Sequence, residues 1–132
     1  MIPTQTIQEL NAGITNGLKL ALYDNTYTPD VDTDYAISGI TGEVTGTNYT
    51  SGGQDMQNVT LEQDTANDRM VLKADNVAFN GLTLGSVPVY AVLHDGTNIR
   101  AVYTLNYTPA QGDITNEDII IQQTNREWLY IS

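Results

Sequence analysis

The sequence has no cysteine. Disulfide frameworks, cysteine-based zinc sites and thiol catalysis are therefore excluded at once. Basic residues are nearly as scarce: Lys19, Arg69, Lys73, Arg100 and Arg126 are the only five, set singly along 132 residues against 16 Asp and Glu. Phosphate backbones and anionic bilayers are gripped by clustered Lys and Arg, so the net charge of −11 speaks against nucleic acid and membrane surfaces as partners. No apolar run approaches the roughly 18–20 residues a membrane helix needs. The N-terminus, Met1-Ile2-Pro3-Thr4-Gln5, has neither a basic stretch nor an apolar one, so no secretory signal is expected and the cytoplasm is the expected place of synthesis and assembly. Phenylalanine and tryptophan occur once each, and strong helix formers are few.

What is there is 40% hydrophobic and 16% charged, with Thr, Asn, Asp and Gly filling much of the rest. That describes one globular domain able to bury a core, built from strands and polar turns. Residues 1–16 are polar, contain Pro3 and Gly13, and read as an N-terminal arm or a short helix over 6–12, since Ile7, Leu10 and Ile14 stand three and four apart. The domain proper is expected over 17–132.

Leu18, Leu20 and Leu22 alternate in the strand period. Asp24 to Thr41 is rich in turn residues and reads as a long surface loop. Short strands are expected at 43–45, 59–62 and 70–74, with a polar turn over 64–68. Val77 to Phe79 and Leu82 to Leu84 flank Asn80-Gly81, a dipeptide suited to a hairpin turn because both residues tolerate positive φ. Val87 to His94 is nearly continuous in apolar residues, as in a strand covered on both faces. Asp95-Gly96-Thr97-Asn98 then turns the chain into Ala101, Tyr103, Leu105 and Tyr107. Ile119 to Ile121 and Trp128 to Ile131 are expected to close as a hairpin around Thr124-Asn125. Eight to ten short strands with turns every 8–12 residues predict an all-β fold, a single antiparallel β-sandwich of immunoglobulin-like or jelly-roll-like type.

Few residues promise chemistry. The single histidine, His94, stands beside Asp95, but neighbours on a strand point to opposite faces and would not meet as base and orienter. No nucleophile elbow is present. Asp30, Asp32 and Asp34 alternate as at the start of a calcium loop, the one metal candidate, but Tyr35 and Thr41 replace the glycine and the bidentate glutamate that such a loop needs. A solvated acidic loop is the simpler reading. With 16 acidic residues, a carboxylate pair at glycosidase spacing is expected by chance in any fold. An intramolecular isopeptide bond would need Lys19 or Lys73 buried beside an acid. The eight tyrosines suit either an interface or the edge of a core. Tyr49, Tyr103, Tyr107 and Trp128 are the candidates for a sugar-stacking platform. No catalytic residue and no cofactor are expected.

Leu18-Lys19-Leu20-Ala21-Leu22-Tyr23, the Tyr27-to-Tyr35 stretch with Thr28-Pro29-Asp30-Val31-Asp32-Thr33, and Glu43 to Gln54 with Gly46-Thr47-Asn48-Tyr49-Thr50-Ser51-Gly52-Gly53 together resemble a group of small bacteriophage structural proteins. Val71 to Phe79 and Val89 to Leu93 match the same group, so the similarity covers about residues 18–105. The resemblance implies a head- or tail-associated component of the virion and supplies no catalytic residue, and the acidic, lysine-poor composition favours a decoration or cement protein on the outside of the head, bound to the major capsid protein or other virion proteins. It is compatible with a homo-oligomer, a trimer among the possibilities. A tail, head–tail connector or fibre-base position is the alternative, and a carbohydrate-binding module the second. The resemblance further implies that the aspartate loop and the Gly-Gly element are signatures of the fold, with Tyr49 plugging its loop against the sandwich.

Overall fold

The computed structural model describes residues 17–30, 34, 36–106 and 113–131. The expected N-terminal arm or short helix, residues 1–16, lies outside them. Ten strands follow in chain order: β1 (Lys19–Tyr23), β2 (Gly46–Thr47), β3 (Gln54–Asp55), β4 (Thr60–Asp64), β5 (Arg69–Lys73), β6 (Val77–Leu84), β7 (Tyr90–His94), β8 (Ile99–Thr104), β9 (Glu117–Ile121) and β10 (Glu127–Ile131). They form three antiparallel sheets, ordered β3-β1-β7-β8, β10-β5-β4 and β2-β6-β9. The fold is all-β and sandwich-like, and no helix among the described residues is long and apolar enough to cross a membrane.

One core joins the three sheets. Leu18, Leu20 and Leu22 meet Ala91 and Leu93 from the first sheet, Leu72 and Trp128 from the second, and Phe79, Leu82 and Ile119 from the third. Burying each large aliphatic or aromatic side chain contributes roughly 1.5–3 kcal/mol, so this cluster is the main source of stability.

The other face of the first sheet is also covered. Ala21 and Tyr23 of β1 and Val92 of β7 pack with Tyr27, Ile37 and Ile40 from the segment between β1 and β2. That segment is therefore less a surface loop than a second layer over the sheet. It accounts for the apolar run of β7: Ala91 and Leu93 face one core, Val92 the other, and all three are fully buried.

Two expected hairpins do form. β4 and β5 pair across the polar turn, with Asp68 at φ 51°. β7 and β8 pair across Asp95 to Asn98, with Gly96 at φ 91°. Two others do not. Asn80-Gly81 makes no turn: Val77 to Leu84 is one strand, and the dipeptide is a bulge where the register against β9 shifts between Phe79 and Leu82. The extra residue changes the phase of alternation, so Val77 and Phe79 before it, and Leu82 and Leu84 after it, all point into the core. Positive φ at Gly81 (63°) serves that bulge and not a reversal.

Ile119–Ile121 and Trp128–Ile131 are likewise not partners. β9 pairs with β6 and β10 with β5. Between them a 3-10 turn at Thr124–Arg126, with positive φ at Asn125 and Arg126, carries the chain from one sheet to another. Arg126 fixes this crossover: its carbonyl accepts from the Ala74 amide (3.0 Å), its guanidinium donates to the Asn58 carbonyl (3.0 Å) and pairs with Asp75 (3.1 Å).

Candidate functional site

The richest polar cluster lies where the 43–54 segment crosses β1 and β7. Tyr23 and Glu43 form an isolated bridge, and Val44 donates to the Leu22 carbonyl (3.0 Å), so the chain after the aspartate loop is held against the end of β1. The carboxylate of Glu43 then gathers the following turn. It accepts from the Tyr49 hydroxyl (2.7 Å), the Gly52 amide (2.8 Å) and the Ser51 hydroxyl (3.0 Å). Tyr49 reaches it across the core edge, its ring stacked on Phe79 at 6.0 Å between centroids and its oxygen accepting from the Leu22 amide (2.9 Å). Burial, together with the carboxylate of Glu43, pushes the Tyr49 phenol far above its ordinary value.

Gly53 comes so close to β1 that a Cβ would stand 1.9 Å from the Leu20 carbonyl oxygen, and its φ is +86°. His94, only 2% exposed, closes the cluster from below. One ring nitrogen, Nδ1, accepts from the Gly96 amide (3.0 Å), which leaves the other, Nε2, to donate to the Gly52 carbonyl (2.8 Å). The imidazole is thus assigned as the neutral Nε2–H form, a strut between the Gly52-Gly53 turn and the β7–β8 turn.

A cleft of about 600 Å³ opens beside this cluster, lined among others by Lys19, Tyr23, Ile40, Glu43, Gly52 and His94. Two of its polar groups, Glu43 and His94, are committed to the turns around them. Both nitrogens of His94 are engaged, and Asp95 turns away to accept from the amides of Thr97 (2.9 Å) and Asn98 (2.7 Å) and to pair with Arg100 (2.7 Å). Partial burial alone would raise the Asp95 carboxyl, but those donors outweigh it and hold it below its ordinary value. His94 and Asp95 do not meet.

Of the three candidate metal ligands, Asp32 lies outside the described residues. Asp34 turns its carboxylate inward, accepting from the Tyr27 hydroxyl (2.8 Å) and the Asp30 amide (2.7 Å), while its own amide donates to the Asp30 carbonyl (2.8 Å). Its part in the structure is to anchor Tyr27, which is buried in the second core. Among the described residues no group of three His, Asp or Glu side chains is placed to hold a metal ion.

The aromatic candidates for sugar stacking point inward. Trp128 is 3% exposed and donates from Nε1 to the Ala74 carbonyl (3.1 Å). Tyr103 packs edge-on against it at 5.6 Å, and its hydroxyl donates to the Trp128 carbonyl. Tyr49 stacks on Phe79, and Tyr107 lies outside the described residues. The lysines considered for an isopeptide bond sit at the surface in ion pairs, Lys19 with Asp55 (3.9 Å) and Lys73 with Glu62 (3.0 Å).

Two features went unread in the sequence. Each of the five basic side chains pairs with an aspartate or glutamate, Arg69 with Asp64 (3.0 Å) completing the set. Glu43 is the hub of the polar cluster, and its only signal was its place at the head of the Tyr49-to-Gly53 element. Among the described residues the large apolar side chains left exposed are Ile120 on β9 and Tyr130 on β10, and Arg69 covers the Tyr130 ring at 3.8 Å. Ile120 borders a groove of about 510 Å³ between the end of β8 and β9.

Comparison of the chain with protein-family models, with curated proteins and with solved structures finds no match.

Proposed function

We propose that this chain is a structural component of a bacteriophage particle, a decoration protein on the outer face of the head, with the major capsid protein as its partner and no catalytic role. The observation that carries the reading is the Glu43–Tyr49–Gly52–His94 cluster. Three of the segments on which the resemblance rests, β1, the Glu43-to-Gly53 element and β7, come together in it as one hydrogen-bonded unit. A pattern whose polar atoms bind one another specifies a shape and leaves no reactive group, which is what a repeated building block requires. The charge agrees with such a place: with its five basic residues paired, the surface offers packaged DNA no cluster of free cations. Weak contacts with a symmetric shell gain strength by repetition.

The test is the copy number of the chain in purified particles, by quantitative mass spectrometry against the major capsid protein. Near-stoichiometric abundance is expected. A few copies per particle would move the protein to the tail, the connector or a fibre base, and absence from particles would overturn the reading.

A further inference from the structure

The Asn80-Gly81 dipeptide, which the fold does not use as a turn, carries a chemistry of its own. An asparagine followed by glycine is the pair in which the next backbone nitrogen most easily reaches the side-chain amide, because glycine presents no side chain to obstruct it. In the reaction the Gly81 amide gives up its proton to solvent base and its nitrogen bonds to Cγ of Asn80. Nδ2 takes a proton back from solvent, the Cγ–Nδ2 bond breaks and ammonia leaves. Solvent water opens the resulting succinimide at either carbonyl, yielding aspartate or its β-linked isomer at position 80. No oxidant or cofactor is needed.

Asn80 is exposed at the bulge of β6, so its side chain is open to solvent. The attacking nitrogen is not free. Gly81 donates to Oδ1 of Asp118 on β9 at 2.7 Å, and the Gly81 carbonyl accepts from Nδ2 of Asn48 at 2.9 Å, so the peptide is held on both sides. An N–H bound to a carboxylate is harder to deprotonate, since the anion formed would face a negative charge without its hydrogen bond. Pairing of Phe79 with Ile119 and of Leu82 with Glu117 fixes the backbone on either side of the dipeptide.

The geometry points to Asn80 as a latent deamidation site that Asp118 keeps closed while β9 is seated on β6. Release of β9 opens it, and the change is permanent. The β-linked isomer adds a carbon to the backbone at the bulge, and either product sets a new carboxylate opposite Asp118. The β-linked isomer cannot then restore the β6–β9 pairing in its original register, and the aspartate product restores it only with the added charge at the bulge. The site thereby records the time the sheet has spent open, and it does so whatever particle or partner the protein serves.

The test is peptide mapping with fragment-ion assignment after timed incubation of the folded protein at mildly alkaline pH. Wild type should gain the deamidated mass at Asn80 slowly when folded and at least about tenfold faster in denaturant, where Asn16-Gly17 in the same sample calibrates an unprotected pair. Asp118→Ala, with its fold checked by the near-ultraviolet circular dichroism of buried Trp128, should deamidate at Asn80 about three- to tenfold faster than folded wild type, as loss of one hydrogen bond implies. Both proteins should react equally fast in denaturant, and Asn80→Gln should abolish the change. Equal rates for folded and denatured wild type would overturn the proposal. So would a folded Asp118→Ala no faster than wild type. Should Asp118→Ala not fold, Asp118→Asn replaces it. It keeps an acceptor and removes the charge, and a rate no greater than wild type would count against the proposal in the same way.

Discussion

Two glycines separate the kinds of constraint that single residues bear here. Gly96 has φ +91° with open space where a Cβ would stand, whereas Gly53 has φ +86° and the Leu20 carbonyl oxygen 1.9 Å from that position. The first is a conformational requirement alone, the second a conformational and a steric one. Gly96→Val should therefore destabilise the domain by more than about 1 kcal/mol. Gly53→Ala should cost about 3 kcal/mol or more, or prevent folding. Urea denaturation of both variants measures the difference, and equal losses would mean that β1 and the Gly-Gly turn are not in such close contact. Tyr49→Phe keeps the ring on Phe79 but leaves the Leu22 amide and the Glu43 carboxylate without their shared partner. A loss of about 1–3 kcal/mol is expected in the same assay.

At the scale of elements, β7 is the strand to test, because its two faces serve different cores. Val92 is fully buried against Tyr27, Ile37 and Ile40, which belong to the segment the sequence presents as a surface loop. Val92→Thr is nearly isosteric and replaces a methyl by a hydroxyl. On a solvated face it would be neutral. Beneath the covering segment it should cost about 1–3 kcal/mol, read as a lowered midpoint in chemical denaturation. Leu93→Ala, on the opposite face, should cost about 2–5 kcal/mol. A neutral Val92→Thr beside a costly Leu93→Ala would reduce the covering segment to the surface loop first expected.

For the whole molecule, the titrating groups set a pH window. Burial raises the Asp24 carboxyl, but the hydroxyl of Thr26, the hydroxyl of Ser86 and the Thr26 amide outweigh it, and Asp24, like Asp95, ends below its ordinary value. A carboxylate depressed in the folded state contributes stability that is present above the unfolded value of about 4 and is lost as the pH falls through the folded one. Stability should therefore fall progressively below about pH 4. At the other end, burial and the nearby Glu43 push the Tyr23 phenol up to about 12, and Tyr27, Tyr49 and Tyr103 are raised as well. Each favours its neutral form in the fold, so its contribution is complete below the unfolded value of about 10 and is lost as the pH rises beyond it. Alkaline unfolding should coincide with tyrosinate formation in an ultraviolet titration. Ionisation of all eight tyrosines near pH 10 with the fold intact would contradict the burial of these four rings.

The sequence by itself determined the class of the fold, since strand periodicity, turn residues and composition are local properties. Leu18, Leu20 and Leu22 on one face, the doubly covered β7, and the turn at Asp95-Gly96 were all legible because each depends on residues a few positions apart. Beyond the two hairpins, tertiary structure decided which strands pair. Asn80-Gly81 can equally serve a turn or a bulge, and only the need to return Leu82 and Leu84 to the core favoured the bulge. Ile119–Ile121 and Trp128–Ile131 are near in sequence, yet their apolar faces are satisfied by β6 and β5, far away along the chain. The polar cluster was half legible: the resemblance marked Tyr49 and the Gly52-Gly53 pair as signatures of the fold, whereas Glu43 and His94 acquire their roles from partners on crossing strands. Local chemistry fixes how each segment can bend, and the competition of distant surfaces for one core fixes where it goes.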